Sequence, residues 1–202
     1  MAIVKLSNRG VKDITAVGSI GTGDLTFISK QTASSDASIS FTSGIDSTYK
    51  EYIFFFNNIH PSASNVKFMF NFSTDSGSNY NVTKTTTMFN SYHNEADNDS
   101  GLAYNSGNDL AQSTGNQPLL EALGTDNDQA SSGYMQLFNP SSSVFMKHYI
   151  SDFSNYHYGD YSQRFFSAGY GNTTSAIDGV RFKMSSGNID AGTIKLYGIK
   201  DS

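Results

Sequence analysis

Cysteine does not occur in this chain. That single absence removes disulfide staples, thiolate zinc sites and cysteine nucleophiles together, and it is compatible with synthesis in a reducing cytosol. Charge is also scarce. Asp, Glu, Lys and Arg make up 15% of the residues and the net charge is -5, so the basic footprint of a nucleic-acid binder is missing. No apolar run is long enough to span a membrane. Met1 to Gly10 carries Lys5 and Arg9, but no apolar core follows, so no secretory signal is read there. The strong helix formers Ala, Leu, Glu, Lys, Gln and Arg are thin throughout.

What is present points to strands. Ser, Thr, Asn and Gly account for 83 of the 202 residues, and aromatics reach 13%, all of them Phe (15) and Tyr (12). Disordered chains lack aromatics. Aromatic and β-branched segments separated by Ser, Asn and Gly turns are the composition of an all-β protein, and the length suits one domain with a sizeable core.

Residues 1–24 differ from the rest, with scattered apolar positions and a glycine-rich end. From Leu25 the pattern is strand, turn, strand. In Asp36–Phe41, Ala37, Ile39 and Phe41 alternate with serines. Tyr49–Phe56 has Tyr52, Phe54 and Phe56 on one face and Ile53 and Phe55 on the other, which predicts a central strand covered on both sides. Val66–Phe72 sets Val66, Phe68, Phe70 and Phe72 against Lys67, Met69 and Asn71, a half-buried strand. A turn at Asp75–Asn79 leads into the Thr-rich run Val82–Tyr92. The 36 residues Asn94–Gln129 are polar and read as a structured loop or small subdomain, with Leu119–Leu123 as a helical turn. Strands resume at Tyr134–Phe138, Val144–Ile150, Arg164–Ala168, Ile177–Met184 and Gly192–Ile199. Ten or so strands without intervening helices predict an antiparallel β-sandwich of jelly-roll type. The expected core includes Ile39, Phe41, Ile53, Phe54, Phe56, Phe68, Phe70, Leu137, Phe145, Phe182, Ile194 and Leu196.

Several segments carry candidate chemistry. Ser73-Thr74-Asp75-Ser76-Gly77-Ser78-Asn79-Tyr80 fits S-x-D-x-G-x-x-aromatic and resembles an Asp-box hairpin turn. Its carboxylate accepts backbone N–H groups, its Gly takes positive φ and its aromatic packs beneath. A sialidase-like propeller would repeat the box and use an arginine cluster, whereas the arginines here are Arg9, Arg164 and Arg181 alone. His93, Glu95, Asp97 and Asp99 lie in HNEADNDSG, and Asp126 and Asp128 in GTDNDQ. The alternating oxygen ligands make Asp97, Asp99, Asp126 and Asp128 candidates for structural calcium, although the EF-hand pattern fails for want of its twelfth-position Glu. His60, His93, His148 and His157 show no zinc-hydrolase spacing, and neither a G-x-S-x-G elbow nor a Walker loop occurs. The three glutamates Glu51, Glu95 and Glu121 mark no glycosidase pair. The chain is therefore read as a non-enzyme that needs no cofactor. Tyr156, His157, Tyr158, Asp160 and Tyr161, within NYHYGDYSQRFF, form an aromatic-polar cluster of the kind that recognises sugars or lines protein interfaces, and also of the kind that ends sandwich strands.

The C-terminal block FKMSSGNIDAGTIKLYGIKDS (Phe182–Ser202) resembles the end of jelly-roll virion proteins of tailed bacteriophages, marine and cyanobacterial ones in particular. TYKEYIFFFNNIHP (Thr48–Pro61), STDSGSNYN, SYHNEAD and LFNPSSSVFMKHYIS (Leu137–Ser151) resemble the same group, in order, over most of residues 25–202. The resemblance implies a virion structural protein, assembled in the host bacterial cytoplasm, and transfers no catalytic residue. On that basis residues 1–24 are expected to be an attachment arm, docking on other virion proteins or swapping between protomers through Ile3, Val4, Leu6, Val11, Ile14, Val17 and Ile20. Residues 25–202 are expected to form the sandwich. The expected role is a tail fibre or receptor-binding component that contacts a host-surface glycan as a homotrimer. A capsid decoration protein is the alternative, and a glycan depolymerase the third reading. Neither nucleic acid nor membrane insertion is expected.

Overall fold

The computed structural model describes residues 25–200. These contain twelve strands and no helix: β1 (Leu25–Thr32), β2 (Ile39–Phe41), β3 (Glu51–Pro61), β4 (Val66–Ser73), β5 (Lys84–Asn94), β6 (Ser100–Tyr104), β7 (Gln117–Leu123), β8 (Ser131–Phe138), β9 (Lys147–His157), β10 (Tyr161–Gly171), β11 (Gly179–Met184) and β12 (Ile189–Ile199). Every pairing is antiparallel. One run of neighbours reads β1-β12-β3-β8-β9-β10-β5-β6 and the other β7-β4-β11-β2. They join through one residue pair, Leu123 with His157. The twelve strands are thus one sheet that folds over and nearly closes on itself.

The core lies between the two runs, and period-two alternation fills it. Tyr52, Phe54 and Phe56 of β3 point inward, as do Phe68, Phe70 and Phe72 of β4 and Val180, Phe182 and Met184 of β11. Edge-on aromatic contacts stitch the layers together: Phe54 to Phe182 at 5.3 Å, Phe56 to Phe68 at 5.6 Å and Phe70 to Tyr149 at 4.8 Å between ring centroids. Such pairs prefer this geometry because a ring edge is positive and a ring face negative.

Ten of the twelve expected core residues are buried. Ile53 is half-buried, because the second face of β3 is the outer face of the sheet. Phe145 is 69% exposed. It precedes β9, which starts at Lys147 rather than near Val144, so the inward face of that strand is set by Tyr149 and Phe153. The expected helical turn at Leu119–Leu123 is part of strand β7, and the long polar excursion holds both β6 and β7. The strand pairing of Phe68 with Leu120 and of Val66 with Leu123 overrides local helix propensity. The proposed arm, residues 1–24 with Ile3, Val4, Leu6, Val11, Ile14, Val17 and Ile20, lies outside the described residues.

Strand direction gives the fold two ends. β1, β3, β5 and β9 run one way, and β6, β8, β10 and β12 return. Leu25, Glu51, Phe138, Lys147, Gly171 and Ile199 therefore share one end, the base, where the described chain begins and finishes. Pro61, Ser131, His157, Tyr161 and Asn94 share the other, the tip. Strands of eleven residues separate the two ends by about 33–36 Å.

Candidate functional site

The tip is built by two hairpins and one connection. β9 and β10 stay in register up to the pair His157–Tyr161, and the turn between them is Tyr158-Gly159-Asp160. Asp160 holds φ of 62°, a left-handed conformation that Asp tolerates better than most residues. Beside it, Tyr161 of β10 also pairs with Asn94, the last residue of β5. The Asn94 side chain turns the chain into β6 by accepting the N–H groups of Asn98 and Asp99 at 3.1 and 3.0 Å. The two turns are tied through the Glu95 N–H, which donates to the Asp160 carbonyl at 3.0 Å.

This register brings together two clusters that are some 57 residues apart in sequence at their nearest members, Asp99 and Tyr156. The Tyr161 hydroxyl donates to Asp99 at 3.1 Å, and the Tyr156 hydroxyl lies 3.5 Å from Asp160. His93 and Asp97 are 3.0 Å apart. The neighbouring carboxylates disfavour a further negative charge. A hydrogen bond to Asp99 heads the causes that push the Tyr161 phenol above its ordinary value, while desolvation and then the charges of Glu95 and Asp160 raise that of Tyr156.

His157 is the most constrained group. Its ring stacks on Tyr158 at 4.3 Å and meets Tyr161 edge-on at 5.1 Å. The Gly159 N–H donates to its Nδ1 at 2.8 Å, which requires a lone pair there and so selects the neutral ring protonated at Nε2. Burial lowers its pKa in the same direction, against the opposing pull of Glu121 and Asp160.

Two clefts flank the hairpin. One of about 360 Å³ is lined by His93, Glu95, Asn155, Tyr156 and Tyr161. The other, of about 390 Å³, is lined by Tyr92, Asp99, His157, Tyr158 and Gln163. Rings beside carboxylates and amides can stack on the C–H face of a sugar while accepting its hydroxyls. No Lys or Arg occurs in residues 92–104, 124–134 or 154–163, whereas Glu95, Asp97, Asp99, Asp126, Asp128 and Asp160 do. Sequence reasoning named the two clusters separately and missed Tyr92 and Gln163. Alternation along β5 and β10 was the signal for both.

Asp97 and Asp99 sit in the β5–β6 turn, Asp126 and Asp128 in the β7–β8 connection. Among the described residues no three His, Asp or Glu side chains converge as a metal-binding group, and these four do not. The S-x-D-x-G turn stands at the base. Asp75 accepts the Asn79 N–H at 2.8 Å, Ser73 Oγ accepts the Gly77 N–H at 2.9 Å, and Gly77 has φ of 85°. Tyr80 packs under the turn and against the Arg181 guanidinium, 4.3 Å from its ring centre. No protein-family model, curated protein or solved structure matches the chain.

Proposed function

We propose that this chain is a jelly-roll virion protein of a tailed bacteriophage, and that it serves as a tail-fibre or receptor-binding component contacting a host-surface glycan. The jelly-roll reading is supported by nested pairing. β1 pairs with β12, β2 with β11, β3 with β8 and β4 with β7, as in one long antiparallel ribbon, and rolling that ribbon sets β12 against β3 and β11 against β4. The β5–β6 and β9–β10 hairpins are insertions into that plan, and together they build the tip.

The observation that carries the functional reading is polarity. Both ends of the described chain lie at the base, which suits an attachment role for residues 1–24 toward other virion proteins. The aromatic and acidic side chains lie at the opposite end, around two open clefts. The sequence resemblance supplies the virion context. A non-enzymatic role fits a tip where Asp97, Asp99 and Asp160 are already engaged by His93, Tyr161 and Tyr156. A lone sugar site binds weakly, and presentation in several copies raises avidity without new contacts, which favours a homotrimer.

The test is to locate the protein in intact particles by electron microscopy, with a tag at its C-terminus. Label at the tail tip or fibres supports the reading. Label over the capsid shell replaces it with a decoration protein, and release of reducing sugar from host polysaccharide replaces it with a depolymerase.

A further inference from the structure

The outer face of the eight-strand run is apolar at both of its edges. On β1, Leu25 and Phe27 are exposed, Phe27 by 55%. On β5 and β6, Phe89, Leu102 and Tyr104 share the same face in register, with Leu102 73% and Tyr104 58% exposed. Large apolar side chains gathered this way on one face are unusual for a chain that stays alone in water. Among the described residues β1 pairs only with β12 and β6 only with β5, so within that part of the chain each edge presents a row of unpaired N–H and C=O groups.

The two edges also differ in charge. Lys30 and Lys195 stand directly opposite each other on the outer face beside Phe27, a like-charge pair that is unfavourable without an anion. Asp99 and Asp109 bracket β6, the latter accepting the Tyr104 hydroxyl at 2.5 Å, and no cation occurs between them. One edge is apolar and basic, the other apolar and acidic.

We infer that the partner of this face is a second copy of the same chain, with the β1 edge of one protomer docking on the β6 edge of the next. The contact is head-to-tail, so repetition closes into a ring where the rotation allows. This deepens the homo-oligomer part of the proposed function by naming its surface, and it stands or falls on mass in solution, independently of where the protein sits in a particle.

Sedimentation of the full chain reads it directly. The wild type is expected at two or more times the monomer mass. Phe27→Glu places a carboxylate against the acidic edge, and Leu102→Lys an ammonium against the basic one. Each variant alone is expected at monomer mass, with an unchanged far-UV spectrum because both positions are exposed. Mixing the two, or combining them in one chain, sets Glu against Lys and is expected to restore the larger species. If Phe27→Glu fails to fold, Leu25→Glu tests the same edge. A wild type that sediments as a monomer, single variants that keep the wild-type mass, or a mixture and a double variant that stay monomeric each overturn the proposal. So does an assembly that deletion of residues 1–24 dissolves and the point variants do not.

Discussion

Phe182 meets Phe41, Phe54, Phe56 and Phe68 with ring centroids 5.0–6.3 Å away, and no part of it reaches solvent. Phe182→Ala is expected to cost ~3–5 kcal/mol in urea unfolding, the range for a large cavity in a packed core. Phe145→Ser is expected to stay within about 0.5 kcal/mol of wild type, although the sequence marks both as core. The difference was not legible because a lysine points inward in this strand. Lys147 is fully buried and its ammonium donates to the carbonyls of Ser142, Phe145 and Thr173, and period-two reasoning puts lysine outside. Lys84 is the companion case. It is buried between Asn71 Oδ1 and the Val82 carbonyl, and burial pushes its pKa down from 10.5 to about 7. Below pH 7 it is charged whether the chain is folded or not. Between pH 7 and 10.5 the unfolded chain binds the extra proton, so stability rises with pH across that window and falls away as pH drops through 7. The advantage of wild type over Lys84→Met should therefore grow by on the order of 1 kcal/mol per pH unit from about pH 7 to 9 and stay flat below that. Denaturant unfolding at a series of pH values checks it; a constant gap would mean that Lys84 keeps its proton.

At the scale of elements, the strands were readable wherever apolar and polar residues alternate, as in β4, β11 and β12, and where an unbroken aromatic run marks both faces, as in β3. β7 was not, because Leu119–Leu123 carries helix-favouring Leu, Glu and Ala and shows no alternation. It becomes a strand through its partner β4, and Ala122, at φ of 60°, breaks its regularity. The other hidden element was the pairing of β5 with β10. Each was visible alone, but no local signal joins residues 84–94 to residues 161–171. Glycines mark how closely these strands approach. A Cβ on Gly133 of β8 would stand 2.3 Å from the Asp152 carbonyl and 2.7 Å from the Phe153 ring. Gly133→Ala is expected to force β8 from β9 and to destabilise by more than about 2 kcal/mol, since backbone cannot move aside as a side chain tip can. Hydrogen exchange should show the loss first in the amides of the β8–β9 ladder, and unchanged protection there would contradict the close approach.

For the whole molecule, the proposed function assigns attachment to the base and recognition to the tip. The sequence marks the aromatic-acidic residues of the tip, but their distance from the base depends on strand direction, which only the complete pairing fixes. The buried core of the described residues runs from Ala33 to Leu196, and on the proposed reading residues 1–24 are an arm outside it. Deleting 1–24 is therefore expected to leave cooperative thermal unfolding within a few degrees of wild type, and to abolish incorporation into particles. Tyr156→Ala combined with Tyr158→Ala, at the tip and about 33–36 Å from the base by strand length, is expected to do the reverse. Particles carrying that pair should assemble with normal protein content and adsorb to host cells at least about tenfold less, the loss expected when stacking of ~1–2 kcal/mol is removed from each of several linked sites. Quantitative blots of purified particles and adsorption rates at fixed particle number read the two outcomes separately. A deletion that unfolds the chain would make residues 1–24 a strand of the sandwich, and a tip variant that fails to incorporate would move the attachment surface to the tip and invert the polarity on which the functional reading rests.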